Sequence, residues 1–231
     1  AKTPTAKVYF ESSPSYFYDP RTPERVHSYG ADLRVLAMLR DPVKRAFSNH
    51  MHEIIQGHIP PCTFEEGMAN NPTYIEQGRY GTHLARWYDA FPAEQILVLS
   101  AEEVAADAGQ AAREVFAFFG VDPAFDSPIL HERRNESDRA RLPALRAGLR
   151  AGGDWMRRRG LEPALARIKQ SGPVSSMLNA NKIEIRDEIP PMSAETAAQL
   201  DALFAPEMAR LRQLLGRDSL PWEPRSVAAA Q

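Results

Sequence analysis

The sequence predicts an α/β domain in which a parallel sheet carries helical cover, with a helical extension at its carboxyl end. Two observations predict this. Short aliphatic or β-branched runs each precede a segment of helical pattern, and after Pro128 the strand signals stop while helical ones continue. No repeat of 20–50 residues is visible, and no linker is long enough to separate domains. The 231 residues are therefore expected to form a single domain, 1–231, with an α/β core over 1–128 and a helical part over 129–231.

Taken in order, Lys7–Glu11 (KVYFE), Leu33–Leu39 (LRVLAML) and Gln95–Ser100 (QILVLS) are the expected strands. The second is nearly all apolar, as suits a strand buried on both faces. Asp41 is a good N-cap and Pro42 a good first helical residue, opening a helix to about Gln56 that Gly57 ends. A second helix is expected from Gly78 to Ala90, stopped at Phe91-Pro92. A third spans about Ala108–Phe119, with Gly120 just past its end. Beyond Pro128, Arg139–Arg150 and Asp154–Gln170 are helix candidates separated by Gly152-Gly153, and 172–191 reads as loop. A last helix starts at Ser193, with Leu200, Leu203 and Phe204 on one face. Pro206 is expected to break or restart it before Met208, Leu211, Leu214 and Leu215 resume the apolar stripe.

Composition removes several classes. A hydrophobic fraction of 43% with 25% charged residues is that of an ordinary globular protein, neither disordered nor fibrous. The longest apolar runs are too short to cross a bilayer, so no transmembrane segment is expected, and no secretion signal stands at the front. A net charge of −2 argues against a nucleic-acid partner. Cys62 is the only cysteine, which rules out an internal disulfide and favours a reducing compartment. Together with an Ala- and Arg-rich composition, this suits a bacterial cytoplasmic protein. The charge is uneven: His131–Lys169 holds eleven Lys and Arg against five Asp and Glu. Two readings stand for that stretch, solvated helical faces or a positive wall toward an anionic ligand.

The site-like segment is Leu39-Arg40-Asp41-Pro42-Val43-Lys44-Arg45-Ala46-Phe47-Ser48. Ligands of open α/β sheets sit beyond the carboxyl ends of the strands, where the strand assignment puts Arg40. A helix N-terminus follows, and its free N–H groups and dipole favour anions. A forked guanidinium at the strand end and a hydroxyl one or two turns along could grip two sides of a phosphate. In the alternative, Asp41 only caps, Arg45 pairs with a surface acid and Ser48 is an ordinary helical serine.

Four ordered blocks then carry a resemblance. Phe10-Glu11-Ser12-Ser13-Pro14-Ser15-Tyr16, Leu39 through Ser48, Gly78-Arg79-Tyr80 with Leu84, Trp87 and Phe91 to Leu97, and Phe118-Phe119-Gly120-Val121 resemble the blocks of the PAPS-dependent sulfotransferases. The likeness is to the heparan-sulfate-type and related bacterial branch, and the tail from Leu214 to Trp222 is similar to the end of bacterial members. The resemblance implies a P-loop-NTPase-like three-layer α/β fold. It also implies transfer of a sulfuryl group from 3′-phosphoadenosine 5′-phosphosulfate (PAPS) to a hydroxyl or amine of a carbohydrate, lipid or small-metabolite acceptor, without a metal.

By the same resemblance, Arg40 and Ser48 hold the 3′-phosphate of PAPS, Tyr80 lies near the nucleotide or acceptor, and Arg134 or Asn135 touches the nucleotide within a basic stretch that includes His131, Arg133 and Ser137. Glu11 and Ser12-Ser13-Pro14 are expected at the mouth of the site, and Ser12 stands where many relatives carry a lysine. Trp87 and Trp222 are expected core anchors. The family's K-x-G-[ST]-[ST] loop for the 5′-phosphosulfate and its general base match nothing here, so the chain is expected to be N-terminally incomplete and to hold the 3′-phosphate half of the site. No catalytic residue is named, and His50, His52, His58, His83 and His131 are only loose candidates for a base. Gln56–Pro72 and Glu132–Gln170 are the candidate acceptor segments. Another P-loop-like phosphotransferase, or a non-catalytic module binding anionic glycans, are the alternatives.

Overall fold

The computed structural model describes residues 8–127 and 189–222, together with the backbone of two short strands at 139–140 and 182–183. In chain order the elements are α1 (Thr22–Tyr29), β1 (Val35–Leu39), α2 (Pro42–Gln56), α3 (Phe64–Asn70), α4 (Thr73–Glu76), α5 (Tyr80–Ala90), β2 (Ile96–Ser100), α6 (Ala101–Ala106), α7 (Ala108–Phe119), β3 (Arg139–Ala140), β4 (Lys182–Ile183) and α8 (Ala194–Leu215). The chain groups into two compact units. The first comprises residues 1–50, 64–134 and 192–231, and the second 51–63 and 135–191.

In the first unit, β1 and β2 pair in parallel, with Val35 opposite Ile96 and Leu39 opposite Ser100. A parallel pair needs a crossover, here the segment holding α2 to α5. Two apolar clusters build the core. One joins Leu39 and Ile96 of the strands to Tyr80, Leu84 and Trp87 of α5 and Leu211 of α8, with Trp222 packed against it. The other joins Val43 and Ala46 of α2 to Phe64, Tyr74, Leu200 and Phe204. Trp87 is buried, as expected of a core anchor, and its indole N–H donates to the Phe17 carbonyl at 3.2 Å.

The lie of α5 on α8 depends on two glycines. A Cβ on Gly81 would stand 2.6 Å from the Glu207 carbonyl oxygen, and one on Gly78 would stand 2.6 Å from the Phe204 ring. Only glycine permits that approach. The amino end of α5 has no side-chain cap of its own from Arg79. Glu207 of α8 supplies one across the seam: Thr82 donates its backbone N–H and its hydroxyl to the two carboxylate oxygens, each at 2.8 Å.

Several expectations need correction. Val8–Glu11 is not a strand; it finds no ladder partner among the described residues, and Phe10 is 88% exposed. β1 is buried on one face only, because Leu36 and Met38 alternate outward. Pro206 does not interrupt α8, which is continuous over 22 residues. The roughly 3 kcal/mol cost of an interior proline is offset by burial of Leu200 and Phe204 before it and Leu211 after it. Leu203, assigned to their face, is exposed. Within the candidate acceptor segment 56–72, α3 packs Phe64 into the core.

In the second unit, Arg139–Ala140, expected to begin a helix, is a strand paired antiparallel with Lys182–Ile183, which was expected in a loop. Strand pairing across some forty residues leaves no local pattern for a sequence to show. The remainder of the expected helices Arg139–Arg150 and Asp154–Gln170 lies outside the described residues. Gly57 ends α2 with φ 76°, the left-handed geometry that favours glycine.

Candidate functional site

The register of the sheet builds the site. Because Leu39 lies opposite Ser100, the next residues of the two chains, Arg40-Asp41 and Ala101-Glu102, leave the sheet side by side. Asp41 then starts α2: its Oδ1 accepts the backbone N–H groups of Val43 at 2.9 Å and Lys44 at 3.1 Å. Glu102 reaches across from the amino end of α6, and the Asp41 backbone N–H donates to its Oε1 at 3.1 Å. Pro42 has no N–H to offer. The first-turn amides of α2 are therefore all taken by carboxylates. This corrects the expectation that the helix start offers free N–H groups to an anion; only side chains are left to meet one here.

Two of those side chains are uncommitted. Arg40 is half-buried at the carboxyl end of β1, and its guanidinium makes no hydrogen bond or ion pair with any described residue. Ser48 lies two turns into α2, about 10 Å along the axis from Asp41 at 1.5 Å per residue, and its hydroxyl likewise has no described partner. The neighbouring cations are engaged. Lys44 Nζ lies 3.6 Å from Asp41 Oδ2. Arg45 donates through Nη1 to Gln77 Oε1 at 2.9 Å and through Nη2 to the Tyr74 carbonyl, pinning α2 to the turn before α5. Its Nε is buried without a partner among the described residues, and burial holds its pKa below the usual guanidinium value.

Tyr80 sits underneath this turn and not on its surface. It is 2% exposed, packed against Phe17 and Trp222. Burial pushes its phenol up to about 12, against the pull of the Arg45 and Arg40 cations and the Arg40 backbone N–H. The hydroxyl is thus a neutral group beneath the Arg40 backbone. Arg134 and Asn135, with His131, Arg133 and Ser137, lie outside the described residues. At the front, Tyr16 donates its hydroxyl to Glu11 Oε1 at 2.6 Å, the Tyr16 N–H closes a turn onto the Ser13 carbonyl at 3.2 Å, and Ser12 is exposed.

The histidines divide by environment. His83 is fully buried: its Nε2–H donates to the Glu76 carbonyl at 2.7 Å and its Nδ1 accepts from Arg86 at 3.3 Å. Burial pulls its pKa below 6.5, partly opposed by Glu76. His50 is also fully buried, in the α2–α3 packing beside Phe64 and Tyr74, whereas His52 and His58 are exposed. Among the described residues, no group of three or more His, Cys, Asp or Glu is placed to hold a metal, and no helix is long and apolar enough to cross a membrane.

Residues 23–139 match the model of the family described as the sulfotransferase domain. The chain belongs to the sulfotransferase domain family. Relatives include the bifunctional heparan sulfate N-deacetylase/N-sulfotransferase 1 of Xenopus tropicalis, 30% identical over 137 residues that make up 53% of this chain and 15% of that protein. Another is the human heparan sulfate glucosamine 3-O-sulfotransferase 3B1, 30% identical over 129 residues, covering 52% of this chain and 33% of that protein. The chain thus spans between about one seventh and one third of these relatives' lengths. A solved sulfotransferase from Alicyclobacillus acidocaldarius superposes with a TM-score of 0.58 at 24% identity, over 88% of this chain and 63% of that one, which shows the α/β fold. The sulfotransferase match contains Arg40, Ser48, Tyr80 and Glu102. Sequence reasoning missed Glu102; the signal that finds it is the strand register.

Proposed function

We propose that the chain grips the 3′-phosphate of PAPS between Arg40 and Ser48 and serves the transfer of a sulfuryl group to a hydroxyl or amine acceptor. The observation that supports this reading is the contrast in commitment: Arg45 is hydrogen-bonded within the fold and Lys44 lies against Asp41, while Arg40 and Ser48 make no side-chain hydrogen bond or ion pair with a described residue. A planar guanidinium suits two oxygens of one phosphate. Hydrogen bonds to a charged phosphate are worth about 1.5–3 kcal/mol each; Arg40 can make two of them and adds a full positive charge, so Arg40 dominates and Ser48 refines.

PAPS, when bound, supplies the sulfuryl group. The part of these residues is to fix the nucleotide at its far end, so that the reacting end meets its acceptor in a set orientation. Arg134 and Asn135 remain proposed nucleotide contacts. The relatives' names point to carbohydrate acceptors such as heparan sulfate, and a carbohydrate is the acceptor class we favour over a lipid or small metabolite. The cytoplasm is the proposed compartment, with Cys62 as the single thiol.

Titration calorimetry with adenosine 3′,5′-bisphosphate tests the reading. Wild-type chain should bind it, and Arg40→Ala should weaken binding roughly 10- to 100-fold. No binding, or equal binding by the variant, overturns it. A preference for ATP, which has no 3′-phosphate, would favour a phosphotransferase instead.

A further inference from the structure

We propose that Glu102 is the positioning residue of the 3′-phosphate grip: it holds the strand-to-helix elbow at Asp41 so that Arg40 faces the ligand. This rests on the assignment of Arg40 and Ser48 above. Three observations carry it. Glu102 comes from a different strand-helix junction, 61 residues along the chain, yet takes the backbone N–H of the residue next to Arg40 at 3.1 Å. Its second oxygen, Oε2, is buried without a described hydrogen-bond partner, so the carboxylate is not a solvated surface group that meets the elbow by chance. The register that sets Leu39 opposite Ser100 also makes the contact a fixed consequence of the sheet.

The chemistry explains why an acid stands beside a site for an anion. The Asp41 N–H is the one amide at the start of α2 that the Asp41 carboxylate does not take, since that carboxylate already receives Val43 and Lys44. Left unpaired, this amide could rotate or bind the ligand's own oxygen. With Glu102 occupying it, the peptide between Arg40 and Asp41 has one orientation. The phosphate then meets only the Arg40 guanidinium and the Ser48 hydroxyl. Glu102 itself touches no ligand and acts through the backbone.

Two substitutions separate this role from simple structural support. Glu102→Gln keeps a carbonyl oxygen for the Asp41 N–H; Glu102→Ala removes it. Calorimetric titration of the full chain with adenosine 3′,5′-bisphosphate should show roughly a 10-fold weaker affinity for Glu102→Ala, and an affinity within about 3-fold of wild type for Glu102→Gln. Amide hydrogen exchange at Asp41 in the unliganded chain should quicken in Glu102→Ala and stay slow in Glu102→Gln. Equal bisphosphate affinity in wild type and Glu102→Ala, or unchanged exchange at Asp41, overturns the proposal. If Arg40→Ala loses affinity while Glu102→Ala does not, only the role of Glu102 falls. If the wild-type chain does not bind the bisphosphate, the grip itself is refuted and this role in it falls too, whatever the exchange shows.

Discussion

The turn after β1 and the seam between α5 and α8 hold the two densest blocks of the family resemblance, and they use polar residues in opposite ways. At the seam, polar and small residues are consumed by the fold. Glu207 caps α5 through Thr82, His83 is fixed between the Glu76 carbonyl and Arg86, and Gly78 and Gly81 exist to let Phe204 and the α8 backbone approach. At the turn, the supporting residues Asp41, Arg45 and Glu102 are equally consumed, yet Arg40 and Ser48 are left over. Residue type does not separate scaffold from site. What separates them is whether a polar group's capacity is already spent.

The hardest test of this contrast is Phe204→Ala at the seam, where the ring is 1% exposed. It should cost about 3–5 kcal/mol of stability, read as a drop in the denaturant midpoint at constant slope. A cost below about 1 kcal/mol would mean that the α5–α8 packing is not as described. Next in size is Arg40→Ala. It should leave stability within about 0.5 kcal/mol of wild type while reducing bisphosphate affinity by about 1.5–3 kcal/mol. A large loss of stability there would make Arg40 scaffold and erase the distinction.

Tyr80→Phe lies between the two regions. Removing a buried hydroxyl near Arg45 and the Arg40 backbone should lower stability by about 1 kcal/mol, with only a small change in bisphosphate affinity; thermal melts and calorimetry on the same sample decide it. A large affinity loss with unchanged stability would put the hydroxyl on the ligand. The smallest effect concerns pH. Because the folded pKa of His83 is depressed below 6.5, the unfolded chain binds its proton more readily. Its contribution to stability is present above pH 6.5 and declines as pH falls toward the folded value. Melting temperature between pH 8 and pH 5.5 should fall less steeply in His83→Gln than in wild type, and parallel curves would reject the assignment.

What the sequence made legible was local. Asp41-Pro42 marks a helix start, Gly120 a helix end with φ 69°, and the strand end before them positions Arg40, because each signal lies within a few residues of its effect. The rest depends on pairing across distance. Glu102 matters only because of where β2 lies against β1, and Glu207 only because of how α8 crosses α5. The continuity of α8 through Pro206 is decided by burial on both sides of it, which outweighs a strong local rule. The exposure of Val8–Phe10 shows the converse: a β-rich run with no strand beside it among the described residues forms no ladder there.

The alignment of Leu39 with Ser100 works as a ruler. Strand pairing advances by whole residues, and each step reverses which way a side chain points. An insertion in the turn before Ile96 can be absorbed by that turn. One extra residue inside Ile96–Ser100 would carry Glu102 past Asp41 and turn it to the other side of the sheet. Tolerance of length change in this chain should therefore be abrupt at the start of β2, and the proposed grip on a phosphate is in this sense inherited from the pairing of two five-residue strands.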